Sequence, residues 1–233
     1  MLTISYNLRK HRAISELAAL DERYAPDAIC LQEVDTAGLA KDVGRLRLAH
    51  STTGNRLGLA MYYRPERLLP REVRAFALKK SLHDRVLRPA HERLFAVRFA
   101  DLEHDRDITI ASFHAAPLTA LNSLRRHQIH TALAELQHLG PGLPVLMVGD
   151  YNYPFFKDNL AAKVRGAGYE LTLSDRHTYT RYKYFRGHFD FATSADLDLR
   201  RVETLSRGES DHLPILVETH YPGGPLYGGR PRR

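Results

Sequence analysis

The chain alternates short apolar runs, rich in β-branched residues, with abrupt polar clusters. In the clearest case residues 145–149 contain no polar side chain, and Asp150 and Asn152 follow at once. An apolar run this short predicts a strand buried on both faces. The two polar residues are therefore predicted at a strand's carboxyl end, where open α/β sheets form ligand crevices. An Asx turn would also explain this motif taken alone.

Four further polar clusters have a similar placement. Asn7 follows the run at residues 2–6, Glu33 follows the run at 28–31, and His114 follows the run at 108–113. The cluster Ser210-Asp211-His212 lies just before the run at residues 213–217. Five clusters at strand ends favour a common functional edge over a set of unrelated turns.

The remaining pattern predicts further elements between these clusters. Apolar residues at helical spacing predict helices at residues 12–24, 118–139 and 159–167. The predicted strands lie at residues 57–63, 68–78, 94–99, 108–114, 188–193, 196–205 and 213–220. Because His114 ends one strand and Val145 opens the next, the helix between them is predicted to be a crossover packed on the sheet.

Composition indicates one globular domain. The 233 residues suffice for a single core, and 43% hydrophobic with 26% charged residues is ordinary for such a domain. We expect the domain to cover residues 1–221, and the segment 222–233, rich in Gly, Pro and Arg, to be a disordered basic tail. Cys30 is the single cysteine, which excludes an intramolecular disulfide, and its apolar surroundings predict a buried hydrophobe.

The charge balance favours an anionic partner. The formal net charge is +7 at pH 7, typical of proteins that bind nucleic acid or acidic surfaces. Two stretches concentrate cations: residues 79–93, and residues 176–186, where aromatic rings alternate with cations. The first is predicted to be either a solvated loop or a phosphate-contacting arm, and the second either a half-exposed strand or a base-stacking surface.

The sequence shows neither a transmembrane run nor a signal-peptide pattern. No run approaches the roughly 20 apolar residues needed to span a bilayer, and no signal-peptide pattern precedes the first predicted strand. We therefore expect a soluble, cytoplasmic protein without a transmembrane segment. The sequence leaves the oligomeric state open.

Taken in order, the motifs resemble those of the endonuclease/exonuclease/phosphatase superfamily, which includes pancreatic deoxyribonuclease, apurinic endonucleases, neutral sphingomyelinases and inositol polyphosphate 5-phosphatases. The motifs are Asn7, Leu31-Gln32-Glu33, Ser112-Phe113-His114, Gly149-Asp150-Tyr151-Asn152, His188-Phe189-Asp190 and Ser210-Asp211-His212. The resemblance implies an α/β fold, a four-layer α-β-β-α sandwich of two mixed, mainly antiparallel sheets.

It also implies a metal-dependent attack on a phosphate ester. Glu33 is the best candidate ligand for a hard divalent cation, helped by the side-chain carbonyl of Asn7, and Asp211 adds a ligand directly or through water. Few protein ligands with several waters suit Mg²⁺ or Mn²⁺. A Cys cluster, or a closely spaced His pair on one helix with an acid, would indicate zinc, and neither occurs.

The resemblance assigns the catalytic roles as follows. Asp150 orients or deprotonates the attacking water, and Asn152, on the same side of an extended segment, holds that water or the phosphate. His212 donates to the phosphate or transfers a proton, and Asp190 is expected within hydrogen-bond distance behind it. His114, the residue of the deoxyribonuclease, sphingomyelinase and 5-phosphatase branches, stabilises the phosphate or protonates the leaving oxygen.

Three functions remain open at this point. The first is a nuclease acting on DNA or RNA, which the basic balance favours. The second is a phosphatase or phosphodiesterase acting on an inositol phosphate or a phospholipid headgroup; Gly149-Asp150-Tyr151-Asn152-Tyr153 resembles the 5-phosphatase motif, but Pro154 replaces its Arg and the chain has no Trp. The third is a non-catalytic binding module on the same fold.

Overall fold

The computed structural model describes residues 1–81, 91–153, 157–180 and 187–223. Its strands are β1 (Leu2–Asn7), β2 (Ala28–Val34), β3 (Asp42–Val43), β4 (Leu46–Ser51), β5 (Gly58–Tyr63), β6 (Leu68–Ala77), β7 (Glu92–Asp101), β8 (Arg106–His114), β9 (Val145–Asp150), β10 (Glu170–Leu173), β11 (Asp190–Ala195), β12 (Asp198–Thr204) and β13 (Ile215–His220). Its helices are a 3₁₀ helix (Arg12–Glu16), α1 (Leu17–Tyr24), α2 (Asn122–Leu139) and α3 (Lys157–Gly166). None of the described helices is long and apolar enough to cross a membrane.

The strands form two mixed sheets. The first has the order β12-β13-β1-β2-β5-β4-β3, and the second has the order β10-β11-β9-β8-β7-β6. The pairs β1–β2 and β8–β9 are parallel, whereas the other paired strands among the described residues are antiparallel. α2 connects β8 to β9, so the predicted crossover helix is confirmed.

Three apolar clusters define four layers. One cluster contains residues of both sheets, including Phe95, Val148 and Ile215, and fills the space between them. A second joins the outer face of the second sheet to α2 and α3, and a third joins the outer face of the first sheet to α1 and the 3₁₀ helix. The predicted α-β-β-α sandwich of two mainly antiparallel sheets is confirmed. Cys30 is buried in the central cluster, as expected.

The two parallel pairs position the polar clusters. Asn7 ends β1, and His114 and Asp150 are paired at the ends of β8 and β9. β11 runs antiparallel to β9, so its first residue, Asp190, pairs with Asp150. Because a parallel pair ends on one edge and an antiparallel neighbour starts there, strand ends distant in sequence come together.

Gly149 is required just before this edge. Its φ is +149°, and a side chain there would collide with the backbone carbonyl of Phe113 on β8. Any other residue would therefore push β9 away from β8. This close approach keeps Asp150 in register with His114.

Several predicted boundaries differ in the structure. The first helix is a 3₁₀ turn followed by α1, and α2 starts at Asn122 because residues 118–120 form a turn. The short strands β3, β4 and β10 were not predicted. Of the basic-aromatic stretch, residues 176–180 contribute a single bridge pairing, Tyr179 with His212, and residues 181–186 lie outside the described part.

The interpretation of residues 79–93 as one cationic arm is wrong for its last member. Arg93 lies in β7, is 3% exposed, and donates from Nη1 to the carbonyls of His114 and Ala115 at 3.0 and 2.9 Å. It therefore supports the end of β8 and does not belong to a solvated loop. Residues 82–90 lie outside the described part, as do residues 224–233 of the tail expected to be disordered.

Candidate active site

Asp150 lies at the centre of the polar edge and is 1% exposed. Its Oδ1 accepts the backbone N–H of Asn152 at 2.9 Å, and its Oδ2 accepts the side-chain amide of Asn7 at 3.1 Å. The same Oδ2 lies 3.7 Å from Nε2 of His114 and 3.7 Å from Nε2 of His212. Residues from four separate segments thus meet at one carboxylate.

His212 and Asp190 form a buried pair behind this carboxylate. The imidazole Nδ1 lies 2.8 Å from Oδ2 of Asp190, which confirms the predicted hydrogen-bond distance. The ring of Tyr179 packs against the imidazole with centroids 5.0 Å apart. The carboxylate of Asp190 and the ring of Tyr179 therefore fix the orientation of the His212 imidazole, and its Nε2 faces Asp150.

Burial and neighbouring charges set the proton affinities of this pair. Burial raises the pKa of Asp150 to about 7, although the charge of His212 acts in the opposite direction. Burial alone would lower the pKa of His212, but the charges of Asp190 and Asp150 outweigh it and raise that pKa to about 10. At neutral pH the site therefore holds an imidazolium between two acids, one of which exchanges its proton near neutrality.

A bulge turns Glu33 into the site. In a regular strand Glu33 would follow Leu31 onto the face that packs against α1. The pairing of β2 with β5 shifts between Leu31 and Val34, and Glu33 has a φ of +54°. Its Oε1 consequently lies 3.5 Å from Nδ2 of Asn7, and its Oε2 accepts the N–H of Lys10 at 2.9 Å.

The segment after Asn7 is a strained loop wrapped around Glu33. Arg9, Lys10 and His11 all have positive φ, at 47°, 56° and 69°. Such a conformation costs about 1 kcal/mol or more per residue and persists where surrounding contacts enforce it. The enforcing contacts are Lys10 N–H to the carboxylate of Glu33 and His11 N–H to its backbone carbonyl at 2.8 Å.

Arg9 is a member of the site that the motifs did not reveal. Its backbone N–H donates to Oδ1 of Asn7 at 3.0 Å, and its Nε lies 3.5 Å from Oδ2 of Asp211. Its side chain is one-third exposed, whereas Asp211 is buried. The signal in the sequence was the run of cations directly after Asn7, which the motif comparison passed over.

The chain segment after Asp150 differs from the expected extended form. Asn152 has a φ of +48° and closes an Asx turn on Oδ1 of Asp150. Its side chain therefore does not lie alongside that of Asp150, and its Nδ2 makes a long contact, 3.4 Å, with the carbonyl of Ala115. The argument from strand alternation was wrong here, although the structure does bring Asn152 to the buried edge.

Two hydroxyl groups organise the site from behind. Ser210 Oγ donates to the carbonyl of Asn7 at 2.6 Å and accepts the N–H of His212 at 3.1 Å. Thr178 Oγ1 accepts the N–H groups of Phe189 and Asp190 at 3.0 and 3.1 Å. Ser210 belongs to a recognised motif, but nothing in the pattern of the sequence indicated Thr178.

The donor atoms at this edge fit a hard cation. Glu33 and Asp211 bring carboxylate oxygens, which Mg²⁺ and Mn²⁺ prefer. Asn7 presents Nδ2 to Glu33 and turns its Oδ1 to Arg9, so it would ligate through oxygen only after its amide rotated. A second group, Asp150, Asp190 and His212, has ligand atoms within 4.8 Å of one another. A metal bound in that group would have to displace the proton that the charges of Asp190 and Asp150 favour on His212 by raising its pKa.

The sequence profile described as the Endonuclease/Exonuclease/phosphatase family matches residues 4–212. The chain belongs to this family. Members of the family hydrolyse phosphate esters and generally depend on a divalent metal ion. No curated protein matches the sequence.

Solved structures of the family share the fold at low sequence identity. The human Nocturnin catalytic domain with bound sulfate has a TM-score of 0.76 and 16% identity, over 95% of this chain and 94% of that one. D. rerio TDP2 complexed with a single-stranded DNA product has a TM-score of 0.75 and 16% identity, over 94% of this chain and 98% of that one. The mannosyl-6-phosphatase of Bacteroides thetaiotaomicron has a TM-score of 0.74 and 16% identity, over 95% and 100%.

The Asp190–His212 pair predicts a specific pH response. If turnover needs Asp150 ionised and His212 protonated, activity rises through the pKa of Asp150 and falls through that of His212 as pH increases. Asp190→Asn removes one charge that holds the proton on His212, so the alkaline limb should move down by about one to three pH units. The pH profile of kcat/KM measures this shift. An alkaline limb that stays in place would contradict the assignment, and Asp196→Asn, an exposed change near the other end of β11, is the control.

Proposed function

We propose that this protein is a Mg²⁺- or Mn²⁺-dependent phosphodiesterase that acts on nucleic acid. The observation that carries the proposal is the convergence at Asp150, where a buried carboxylate with a raised pKa lies between two imidazoles and next to the amide that also reaches Glu33. A phosphodiester repels nucleophiles, so its hydrolysis needs an activated water and groups that neutralise the developing charge. The polar edge around Asp150 has a carboxylate that can activate water, and imidazole and amide groups that can neutralise the developing charge.

Glu33, Asp211 and Asn7 would hold the cation, which when bound supplies Lewis-acid stabilisation of the phosphate oxygens. Asp150, once ionised, accepts the proton of the attacking water. His212 donates from Nε2 to a phosphate oxygen, while Asp190 keeps the ring oriented through Nδ1.

His114 and Asn152 complete the catalytic assignment. β8, which ends at His114, and β11, which begins at Asp190, lie on the two sides of β9. The Nε2 of His114 lies 3.7 Å from the same oxygen of Asp150 as the Nε2 of His212. We assign it to stabilisation of the phosphate or protonation of the leaving oxygen. Asn152 contributes its side-chain amide at the buried end of the same Asx turn, where it can donate to a phosphate oxygen.

Charge supports nucleic acid as the substrate. The net charge is +7, and the backbone carbonyl of Lys79 accepts Nε2 of Gln128, whose Oε1 accepts the N–H of Ala116. Lys79 and Lys80 are thereby anchored close to the segment that follows His114. The complex of TDP2 with a single-stranded DNA product is a family precedent for the same class of ligand.

The salt dependence of binding tests this proposal. The variant Asp150→Asn should bind duplex DNA without cutting it, with log Kd changing against log[salt] by roughly 0.9 per phosphate contact. Adding Lys79→Ala and Lys80→Ala should flatten that slope. Lys41→Ala with Lys163→Ala, which removes two exposed lysines elsewhere, is the matched control. If the affinity of the Asp150→Asn protein for duplex DNA does not depend on salt, the proposed nuclease function is wrong.

The principal alternative is a phosphatase or phosphodiesterase acting on a compact ester, such as an inositol phosphate or a phospholipid headgroup. The mannosyl-6-phosphatase that shares the fold is named for a sugar phosphate, which supports this alternative. Turnover of plasmid DNA, bis(p-nitrophenyl) phosphate and inositol phosphates, each with and without EDTA, separates these substrates. A protein that binds but turns over none of them would be a non-catalytic module.

A further inference from the structure

A basic, aromatic cavity lies beside the catalytic imidazole, at the edge where β12 of the first sheet meets β10 and β11 of the second. Its volume is about 550 Å³, within the usual range for ligand sites. The lining side chains are Asp175, Arg176, His177, Tyr179, Thr180, His188, Arg207 and Leu213. A second cavity of about 440 Å³ shares Arg176, Thr180, Arg207 and Leu213 with it and adds, among others, Arg23, Tyr24 and Glu203. The two form one groove.

The groove shares a wall with the active site. Tyr179 lines the cavity and also packs on His212. Thr180 donates from its backbone N–H and from Oγ1 to the carbonyl of Asp211, at 2.8 and 3.0 Å. Leu213 N–H donates to the carbonyl of Thr178 at 2.7 Å. Tyr179 therefore lies between the catalytic imidazole and the groove, and the two sites adjoin through this ring.

The lining of the groove contains three arginines, Arg23, Arg176 and Arg207, and two acids, Asp175 and Glu203, so its formal charge is positive. The carboxylate of Asp175 is already occupied, since its Oδ1 accepts the backbone N–H and Oγ1 of Thr204 and its Oδ2 lies 3.4 Å from Nε of Arg176. Arg176 is itself fixed by hydrogen bonds to Thr204, and its Nη1 makes none within the described ranges. Arg207 is exposed and forms no ion pair with any described residue. The Nη1 of Arg176 and the guanidinium of Arg207 are therefore positioned to contact an anion, with part of the charge of Arg176 offset by Asp175.

Ring faces accompany these cations. His177 and His188 pack edge to face with centroids 4.8 Å apart, and Ser174 Oγ lies 3.0 Å from Nδ1 of His188. Tyr179 supplies a third ring. Rings beside guanidinium groups are the combination that binds successive bases and phosphates of a single strand.

We propose that this groove is a nucleotide-binding subsite, which takes the base and phosphate next to the scissile phosphodiester of a single-stranded nucleic acid. Arg176 and Arg207 bind the flanking phosphate, and His177 and Tyr179 stack on the base. The inference rests on the proposed nuclease function and adds to it a preference for a single strand that extends beyond the cleaved bond. A compact phosphate ester would not reach the groove.

The test compares two substrates of one enzyme. Arg207→Glu should lower the ratio of kcat/KM for a short oligothymidylate to that for bis(p-nitrophenyl) phosphate by about tenfold or more, since stacking and phosphate contacts each contribute on that scale. Arg71→Glu, an exposed change on β6 at the opposite edge of the second sheet, should leave the ratio as in the parent. An unchanged ratio in Arg207→Glu, or an equal fall in the control, overturns the subsite.

A second variant set separates base stacking from charge. His177→Ala should lower the same ratio, and His177→Phe should restore most of it because a ring face is retained. Thymidine monophosphate should compete for oligothymidylate binding to the Asp150→Asn protein better than inorganic phosphate does. Equal competition by the two, or no rescue by Phe, would overturn base recognition.

Failure of the proposed nuclease function can be distinguished from failure of the groove proposal. If the parent protein hydrolyses only compact esters, the proposed function is wrong, and binding decides the groove. Fluorescence anisotropy of a labelled oligothymidylate with Asp150→Asn should then still show binding that Arg207→Glu weakens. Absence of binding, or binding unaffected by Arg207→Glu, overturns the groove proposal as well.

Discussion

Asp150→Asn is expected to lower kcat/KM for phosphodiester hydrolysis by about 10³- to 10⁴-fold, the scale of a lost general base. The amide keeps the shape of the carboxylate and the acceptor for the Asn152 N–H, but it replaces Oδ2, which accepts Nδ2 of Asn7, by a donor, and it cannot take a proton from water. Steady-state kinetics on bis(p-nitrophenyl) phosphate measures the loss independently of nucleic-acid binding.

The same substitution should leave the fold intact or stabilise it. Burial raises the pKa of Asp150, which means that the folded protein disfavours its ionised form, and a neutral isostere removes that penalty. Thermal unfolding above neutral pH, where the parent carboxylate is charged, should show an equal or higher midpoint in the variant. Asp105→Asn is the control, because Asp105 is exposed with a positive φ that Asn tolerates. Activity within about tenfold of the parent would remove Asp150 from the mechanism.

Glu33→Gln is expected to abolish turnover at limiting Mg²⁺ and to weaken Mn²⁺ binding measured by calorimetry. Glu33 Oε2 accepts the Lys10 N–H, and a Gln carbonyl can keep that bond, so the strained loop should persist. What is lost is the negative charge and an oxygen donor, which a hard divalent cation requires. Circular dichroism should match the parent.

Mn²⁺ binding also decides between the two oxygen-rich groups of the site. If the ion binds among Asp150, Asp190 and His212, then Asp190→Asn should weaken Mn²⁺ binding while Glu33→Gln leaves it in place. Glu66→Gln, at an exposed turn, controls for the loss of one negative charge. Near-normal activity of Glu33→Gln at limiting Mg²⁺ would show that the metal assignment is wrong.

The sequence by itself determined which strand ends carry the chemistry. The apolar runs at 28–31 and 145–149 and the largely apolar, β-branched run at 108–113 could form buried strands, and the polar cluster after each run lay at or near a strand end. The order of the motifs then indicated the sandwich, and with it the pairing of Asp190 with His212, which the structure places at 2.8 Å. Local pattern suffices for this because burial on both faces leaves strong periodic signals.

Short edge strands left weaker signals. β3 spans two residues, and the side chains of β4 and β10 are mostly half-buried or exposed, without a continuous apolar run. Their place in the sheets depends on neighbours such as β5 and β11, which supply the hydrogen bonds. Propensity cannot identify such strands, since the partner decides them.

Only the tertiary structure decided where the decisive side chains point. A regular strand would send Glu33 towards α1, and the bulge that turns it to Asn7 is maintained by contacts with Lys10 and His11. Arg93 looked like one more cation of a basic stretch, yet register in β7 buries it under the end of β8. In both cases backbone hydrogen bonds between segments distant in sequence fix the direction of a side chain, and neither hydrophobic pattern nor charge carries that information.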